Sequence, residues 1–264
     1  MMVKNLFQPI GVVSSDKKYR YETPRQGVLA EETISVISLL PHQNFEQALE
    51  NLDGFERIWV IYQFHLNDNW KPKVTPPRHT RKKIGVFATR APYRPNPIGM
   101  SCVRLLKVEG LKIYITESDI LDGSPVLDIK PYLPYSDSFP EVKTGWVKSG
   151  VENKFEVLFE SVAEEKMKWL KQHAGINLRS FTRLQLEFNP TDNSRKRIES
   201  SENEFILSYR TWRITYAVNE GDSIVVVGDI STGYSKNDLK KGEHDSYGDK
   251  DIHREFMKFF VKKA

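Results

Sequence analysis

Seven strand-like runs between Phe7 and Tyr135, broken by one helical segment, constrain this 264-residue chain more than any other feature. The runs are Pro9–Ser14, Ile34–Leu39, Arg57–Phe64, Ile84–Ala88, Met100–Val108, Lys112–Glu117 and Val126–Tyr132. Several alternate apolar with polar residues or are rich in β-branched and aromatic side chains, which suit a pleated, half-buried surface. Glu109-Gly110-Leu111 reads as a hairpin connection. The spacing of Phe45, Ala48, Leu49 and Leu52 predicts a helix over Asn44–Leu52. Strands that succeed one another with so little helix between them fit a compact barrel or a strongly bent sheet better than βαβ units. No two glycines are separated by a single residue, so the G-x-G-x-x-G dinucleotide fingerprint is absent.

The character changes near Ser136–Gly150. Ala163, Met167, Leu170 and Ala174 follow helical spacing, and Leu178, Phe181, Leu184 and Phe188 suggest a second helix. Asn189–Asn203 is polar. Phe205–Val218 and Ser223–Ile230 then read as a strand pair around Asn219–Asp222. The expected organisation is a mainly β, barrel-like domain over 1–145, a small α/β domain over 150–230, and a polar linker with a C-terminal helix over 231–264. Ile252, Phe256, Phe259 and Phe260 share one face of that helix, which needs a covering surface in cis or on another subunit.

Several function classes are disfavoured by composition. The single cysteine, Cys102, allows no intramolecular disulfide and no cysteine metal cluster, and its apolar surroundings suit an inert core thiol. The six histidines show no ligand spacing, so no metal is expected. No G-x-S-x-G elbow is present. The N-terminus lacks a signal-like apolar run and no segment approaches the ~20 apolar residues of a membrane span, so the expected location is the cytoplasm, away from membranes. A net charge of +4 is a mild basic bias.

The chemistry is concentrated in loops. After Ile84–Ala88 comes Thr89-Arg90-Ala91-Pro92-Tyr93-Arg94-Pro95-Asn96-Pro97. Prolines fix φ and restrict the preceding residue, so the loop is stiff. It reads either as a rigid turn with solvated arginines or as a scaffold that holds Arg90, Arg94 and Asn96 against a ligand. A second loop, within Asp119–Tyr132, carries Asp119, Asp122 and Asp128 around an Asp-Gly-Ser-Pro turn; Lys130 beyond it reads as an inward pair or a solvated charge, with the apolar setting favouring the pair. Pro24-Arg25-Gln26-Gly27 follows the aromatic Tyr19-Arg20-Tyr21, and Ile58–Asn67 ends in polar donors. Basic residues recur from Lys71 to Lys83 and at Arg195-Lys196-Arg197. Each basic run alone also reads as a solvated loop; together, beside ligand-like loops, they suit a polyanionic substrate.

Gly85–Ser101 and Asp119–Tyr135, with Pro24-Arg25-Gln26 and Trp59–His65, resemble the TrmO family (YaeB/VirR-like), which comprises S-adenosylmethionine-dependent tRNA methyltransferases. The resemblance covers residues 7–135 and continues more weakly to about residue 230, with Trp212-Arg213-Ile214-Thr215 as a closing strand. It implies a barrel-like methyltransferase domain unlike the Rossmann type, and a homodimer with the methyl donor near the subunit interface. It also implies methylation of N6 of N6-threonylcarbamoyladenosine beside the anticodon of a tRNA. Carried over by motif, the cofactor contacts are Pro24, Arg25, Gln26, His65, Leu66, Arg90, Met100, Asp119, Ile120, Leu121 and Asp122.

A proton acceptor is sought among Asp119, Asp122 and His65. Arg94, with Asn96 and Lys130, is assigned to the substrate, Arg94 toward the threonyl carboxylate. Arg195, Lys196 and Arg197 are assigned to the tRNA backbone. The chain departs from the family pattern at Glu56-Arg57, where many relatives have Ser-His, and residues 231–264 have no counterpart in the shorter bacterial members. The same stiff loops would also serve a non-catalytic module that binds an adenosine nucleotide or RNA. A nucleotide hydrolase lacks a supporting motif.

Overall fold

The computed structural model describes residues 7–19, 22, 33–76, 82–147, 153–193, 196–201, 204–240, 242 and 244–261. Pro24, Arg25, Gln26 and Arg195 lie outside the described residues. The chain divides into two units, Met1–Gly150 and Val151–Ala264.

The first unit contains β1 (Gly11–Ser14), β2 (Ser35–Leu39), α1 (Phe45–Ala48), β3 (Arg57–Gln63), β4 (Lys73–Val74), β5 (Ile84–Gly85), β6 (Ile98–Glu109), β7 (Lys112–Thr116), β8 (Pro125–Pro131) and α2 (Pro134–Asp137). Six strands close into a barrel in the order β1-β2-β7-β6-β3-β8, and β4 and β5 form a separate ribbon. Every barrel pairing is antiparallel. Alternation along the strands sends Ile58, Val60 and Tyr62 of β3 and Gly99, Ser101, Val103 and Leu105 of β6 inward. With Ile37, Ile113, Ile115, Ile120 and Val126 they fill the core. Burial of each such aliphatic side chain is worth about 1.5–3 kcal/mol.

Two local expectations are corrected. Ile84–Ala88 is not one strand: after the two residues of β5 the chain turns through a 3₁₀ segment, Val86–Ala88. The Val86 carbonyl accepts from both the Thr89 amide (3.1 Å) and the Thr89 hydroxyl (2.9 Å), which closes that turn. The predicted helix Asn44–Leu52 is only one turn, α1, followed by a 3₁₀ turn at Leu52–Gly54; Asn51, at φ 64, breaks the run.

The antiparallel order has a consequence for function. The C-terminal ends of β1, β3 and β7 and the N-terminal ends of β2, β6 and β8 share one end of the barrel. The connections 15–34, 64–97 and 117–124 therefore all emerge there. The opposite end carries the connection through α1 and the tight turn at Gly110, which takes φ 55.

Among the described residues, the second unit is a five-stranded sheet, order β10-β11-β12-β13-β9, with three helices. Its elements are β9 (Glu156–Phe159), α3 (Ser161–Ala174), α4 (Leu178–Leu186), β10 (Ile198–Ser200), β11 (Phe205–Tyr209), β12 (Trp212–Asn219), β13 (Ile224–Thr232) and α5 (Lys250–Val261). Phe205–Val218 is a hairpin, not one strand, and turns at Arg210, φ 52. The apolar face of α5 is met within its own unit: Phe256 is buried against Trp169 (ring centroids 5.5 Å) and Trp212 (4.9 Å). The segment before α5 is anchored too, since Leu239 is buried. His253, fully buried, stacks on Trp212 at 3.7 Å and meets the Thr211 hydroxyl at 2.9 Å.

Candidate functional site

The β7–β8 connection is stitched to the end of β1. The Asp122 amide donates to the Lys17 carbonyl (2.9 Å), the Gly123 amide to the Val13 carbonyl (2.8 Å), and the Ser15 amide to Asp122 Oδ1 (2.9 Å). Ile120, fully buried, plugs the barrel beneath the loop. Gly123 takes φ 75, a conformation that disfavours any Cβ, and a Cβ there would stand 3.7 Å from His65 Nε2. His65 Nδ1 lies 3.3 Å from the Ser124 hydroxyl.

Asp119 is held between these anchors. Ser101 Oγ donates to its Oδ1 at 2.5 Å, and the Tyr62 hydroxyl stands 3.4 Å from the same Oγ. Burial pushes the Asp119 carboxyl above the usual carboxylate range; the Ser101 hydrogen bond and the charges of Lys17 and Arg90 act against that rise. Burial likewise drives the Tyr62 phenol up, with Asp119 adding to the effect. The Lys17 ammonium is buried and donates to Thr33 Oγ1 at 2.7 Å, 3.7 Å from Asp16 Oδ1. Desolvation lowers its pKa, opposed by Asp16 and Asp119. The site is thus a partly desolvated carboxylate flanked by two cations.

The long β3–β6 connection is braced by its own backbone. The Phe64 amide donates to the Pro97 carbonyl (2.7 Å) and the Lys71 amide to the Tyr93 carbonyl (3.1 Å). The Lys71 ammonium lies over the Tyr93 ring at 4.6 Å. Arg94 Nη1 donates to the Thr89 carbonyl (3.0 Å) and the Val86 carbonyl (3.3 Å), so part of this guanidinium is a strut inside the loop. Arg90 is exposed.

His65, Leu66, Arg90, Arg94, Asn96 and the Asp119–Asp122 segment all lie on connections at this one barrel end. Met100 is on β6 next to Ser101 but points to the outer face, where it is 58% exposed. Lys130 is elsewhere: it pairs in register with Trp59, near the start of β3 and toward the other end. It does form an ion pair, with Asp128 at 2.8 Å, but both side chains are exposed, so the apolar setting expected for it is not found.

Lys196 departs most from expectation. Its ammonium donates to the Gln185 (2.6 Å), Phe188 (2.6 Å) and Asn189 (2.8 Å) carbonyls, which closes the C-terminal end of α4. Three donors are all that an ammonium has, and here all three serve the cap. Arg197, next to it, is exposed. Three participants in the site were missed in sequence: Lys17, Tyr62 and Ser101. Ser101 had a signal, a hydroxyl at an inward position of a barrel strand. Among the described residues no cluster of His, Cys, Asp and Glu is fit to hold a metal ion. No helix among them is long and apolar enough to cross a membrane.

Comparison with known proteins agrees with this geometry. Residues 12–138 match the tRNA-methyltransferase O N-terminal domain. The chain is 33% identical over 222 residues to the tRNA (adenine(37)-N6)-methyltransferase of Escherichia coli K12, across 80% of this chain and 94% of that protein. It is 41% identical over 137 residues to the Mus musculus tRNA (adenine(37)-N6)-methyltransferase, across 50% of this chain and 32% of that longer protein. The crystal structure of TrmO from Pseudomonas aeruginosa superposes with a TM-score of 0.64 at 27% identity, across 88% of this chain and all of that one. The barrel, its motif-bearing end and this near-complete match to an enzyme of known class establish that the chain belongs to the TrmO family of S-adenosylmethionine-dependent tRNA methyltransferases.

Proposed function

We propose that this protein transfers a methyl group from S-adenosylmethionine to N6 of threonylcarbamoyladenosine beside the anticodon of a tRNA, as a cytoplasmic homodimer. The observation that carries the reading is the convergence of His65, Arg90, Asp119 and Asp122 on one barrel end, in a chain whose E. coli relative is a tRNA (adenine(37)-N6)-methyltransferase. The donor set suits the cofactor: carboxylates at Asp119 and Asp122 match its amine and ribose hydroxyls, and Arg90 matches its carboxylate. Pro24, Arg25 and Gln26 are assigned to the same pocket by family motif.

The bound cofactor supplies a methyl group already activated on a sulfonium. The protein's part is alignment, exclusion of water and management of one proton. N6 belongs to a urea-like group and is a weak nucleophile until its proton leaves. Asp119 is the best placed of the three candidate bases. Asp119 Oδ1 takes the Ser101 hydroxyl much as Asp122 Oδ1 takes the Ser15 amide, and His65 Nδ1 faces Ser124; what favours Asp119 is that burial has already raised its basicity. Arg94 would meet the threonyl carboxylate through the N–H groups that Val86 and Thr89 do not use. Exposed apolar side chains at this end, Phe87 (76%) and Met100 (58%), suit a second subunit closing over the pocket.

The test is methyl incorporation into tRNA from cells with and without the threonylcarbamoyl modification. Incorporation only into the modified tRNA is expected; equal incorporation into both would overturn the substrate assignment.

A further inference from the structure

We infer that Ser101 and Tyr62, both inside the barrel, are positioning residues that aim and tune the Asp119 carboxylate from below. The inference rests on the proposed role of Asp119 in methyl transfer. Asp119 lies on an irregular connection, just after Glu117 takes φ 53, and no strand register fixes its side chain. Its orientation comes instead from the strands. Ser101 pairs with Val60, and Tyr62 with Gly99, so the two inward side chains are diagonal neighbours across β3 and β6.

A serine hydroxyl has one proton. At 2.5 Å from Asp119 Oδ1 that proton belongs to the carboxylate, and the Tyr62 hydroxyl, 3.4 Å from the same Oγ, flanks Ser101 from across the strand pair. Tyr62 is in turn fixed: it meets Phe64 edge-on at 5.3 Å, and Gly99 leaves just the space its ring occupies. The strands thereby transmit their rigidity to a loop carboxylate, the kind of supporting shell that catalytic geometry requires.

The chemistry predicts a readout that packing alone would not move. The Ser101 hydrogen bond stabilises ionised Asp119, as do Lys17 (itself beside Asp16) and Arg90; Tyr62 is a further titratable neighbour. Without the Ser101 hydroxyl, Asp119 holds its proton to higher pH. The acid limb of the pH–rate profile should then move up by about one pH unit in Ser101→Ala, the size of one hydrogen bond to a charged group. Tyr62→Phe should move it by less, and Ser101→Thr, which keeps the hydroxyl, should restore it.

The experiment follows Asp119 in two ways on the full chain. One is the pH profile of methyl transfer to tRNA. The other is ¹³C NMR titration of labelled aspartate carboxyls without cofactor, with Asp119→Asn identifying the resonance. A raised Asp119 titration in Ser101→Ala with rescue by Ser101→Thr supports the inference. An Asp119 titration that is the same in wild type and Ser101→Ala overturns it. A wild-type chain that methylates no tRNA counts against the functional reading instead, so the two failures are distinguishable.

Discussion

A Cβ on Gly99 would stand 2.5 Å from Cζ of the Tyr62 ring across the β6–β3 pairing. Backbone and ring therefore occupy adjoining space with none to spare. Gly99→Ala must displace Tyr62, and overpacking of this kind costs about 1–3 kcal/mol. Chemical denaturation should show a lower midpoint at unchanged slope, and methyl transfer should fall with it because the ring supports Ser101.

Arg90 is exposed yet close enough to bias the ionisation of Asp119. Arg90→Ala should leave the fold intact and weaken S-adenosylmethionine binding by about 1–3 kcal/mol. Calorimetry that finds wild-type affinity in a folded Arg90→Ala protein would remove Arg90 from the cofactor site.

Lys196 and Arg197 are sequence neighbours with opposite expected behaviour. Lys196→Met strips the cap from three carbonyls and should destabilise the second unit by about 1–3 kcal/mol. Arg197→Gln should leave stability alone, weaken tRNA binding and reduce the slope of log affinity against log salt by about 0.7–0.9, one phosphate contact. Melting curves and salt-dependent filter binding on both variants check the pair.

His253 makes the second unit acid-sensitive. Burial lowers its pKa from 6.5 to about 4, against the pull of Asp249 and Asp245 and with the help of Arg213. The unfolded chain takes up a proton near the ordinary value and the folded one does not, so stability is full above pH 6.5 and is lost as pH falls toward 4. The loss should reach about 3 kcal/mol. Tryptophan fluorescence of Trp212, stacked on the ring at 3.7 Å, should follow the change, and His253→Gln should flatten it.

The sequence made the barrel legible because its strands are half-buried and alternate, a pattern that needs no distant context. It also located the loops where prolines, arginines and aspartates gather. It could not show what long-range placement creates. Lys17 sits in Asp16-Lys17-Lys18, which reads as a solvated charge run, and only the pairing of distant segments buries its ammonium against Thr33. Lys196 looked like a phosphate contact because its partners lie seven to eleven residues away at a helix end. β9 and β10 escaped notice because they are short edge strands of four and three residues in polar surroundings, too brief for any period to emerge. Tyr62 and Ser101 fall in runs that read as strands, but nothing local tied them to Asp119.

Ring closure also bears on how the protein is made. β8 is the strand that joins β1 to β3, through Gly11↔Val126 and Trp59↔Lys130. A nascent chain that has not yet reached Pro125, or a product truncated before it, holds β1 and β3 with bare flanks. Such unpaired edges recruit strands from other chains. Premature termination upstream of residue 125 should therefore yield an aggregating fragment, while the same event after Pro131 leaves a sealed cylinder that has already formed its motif-bearing end.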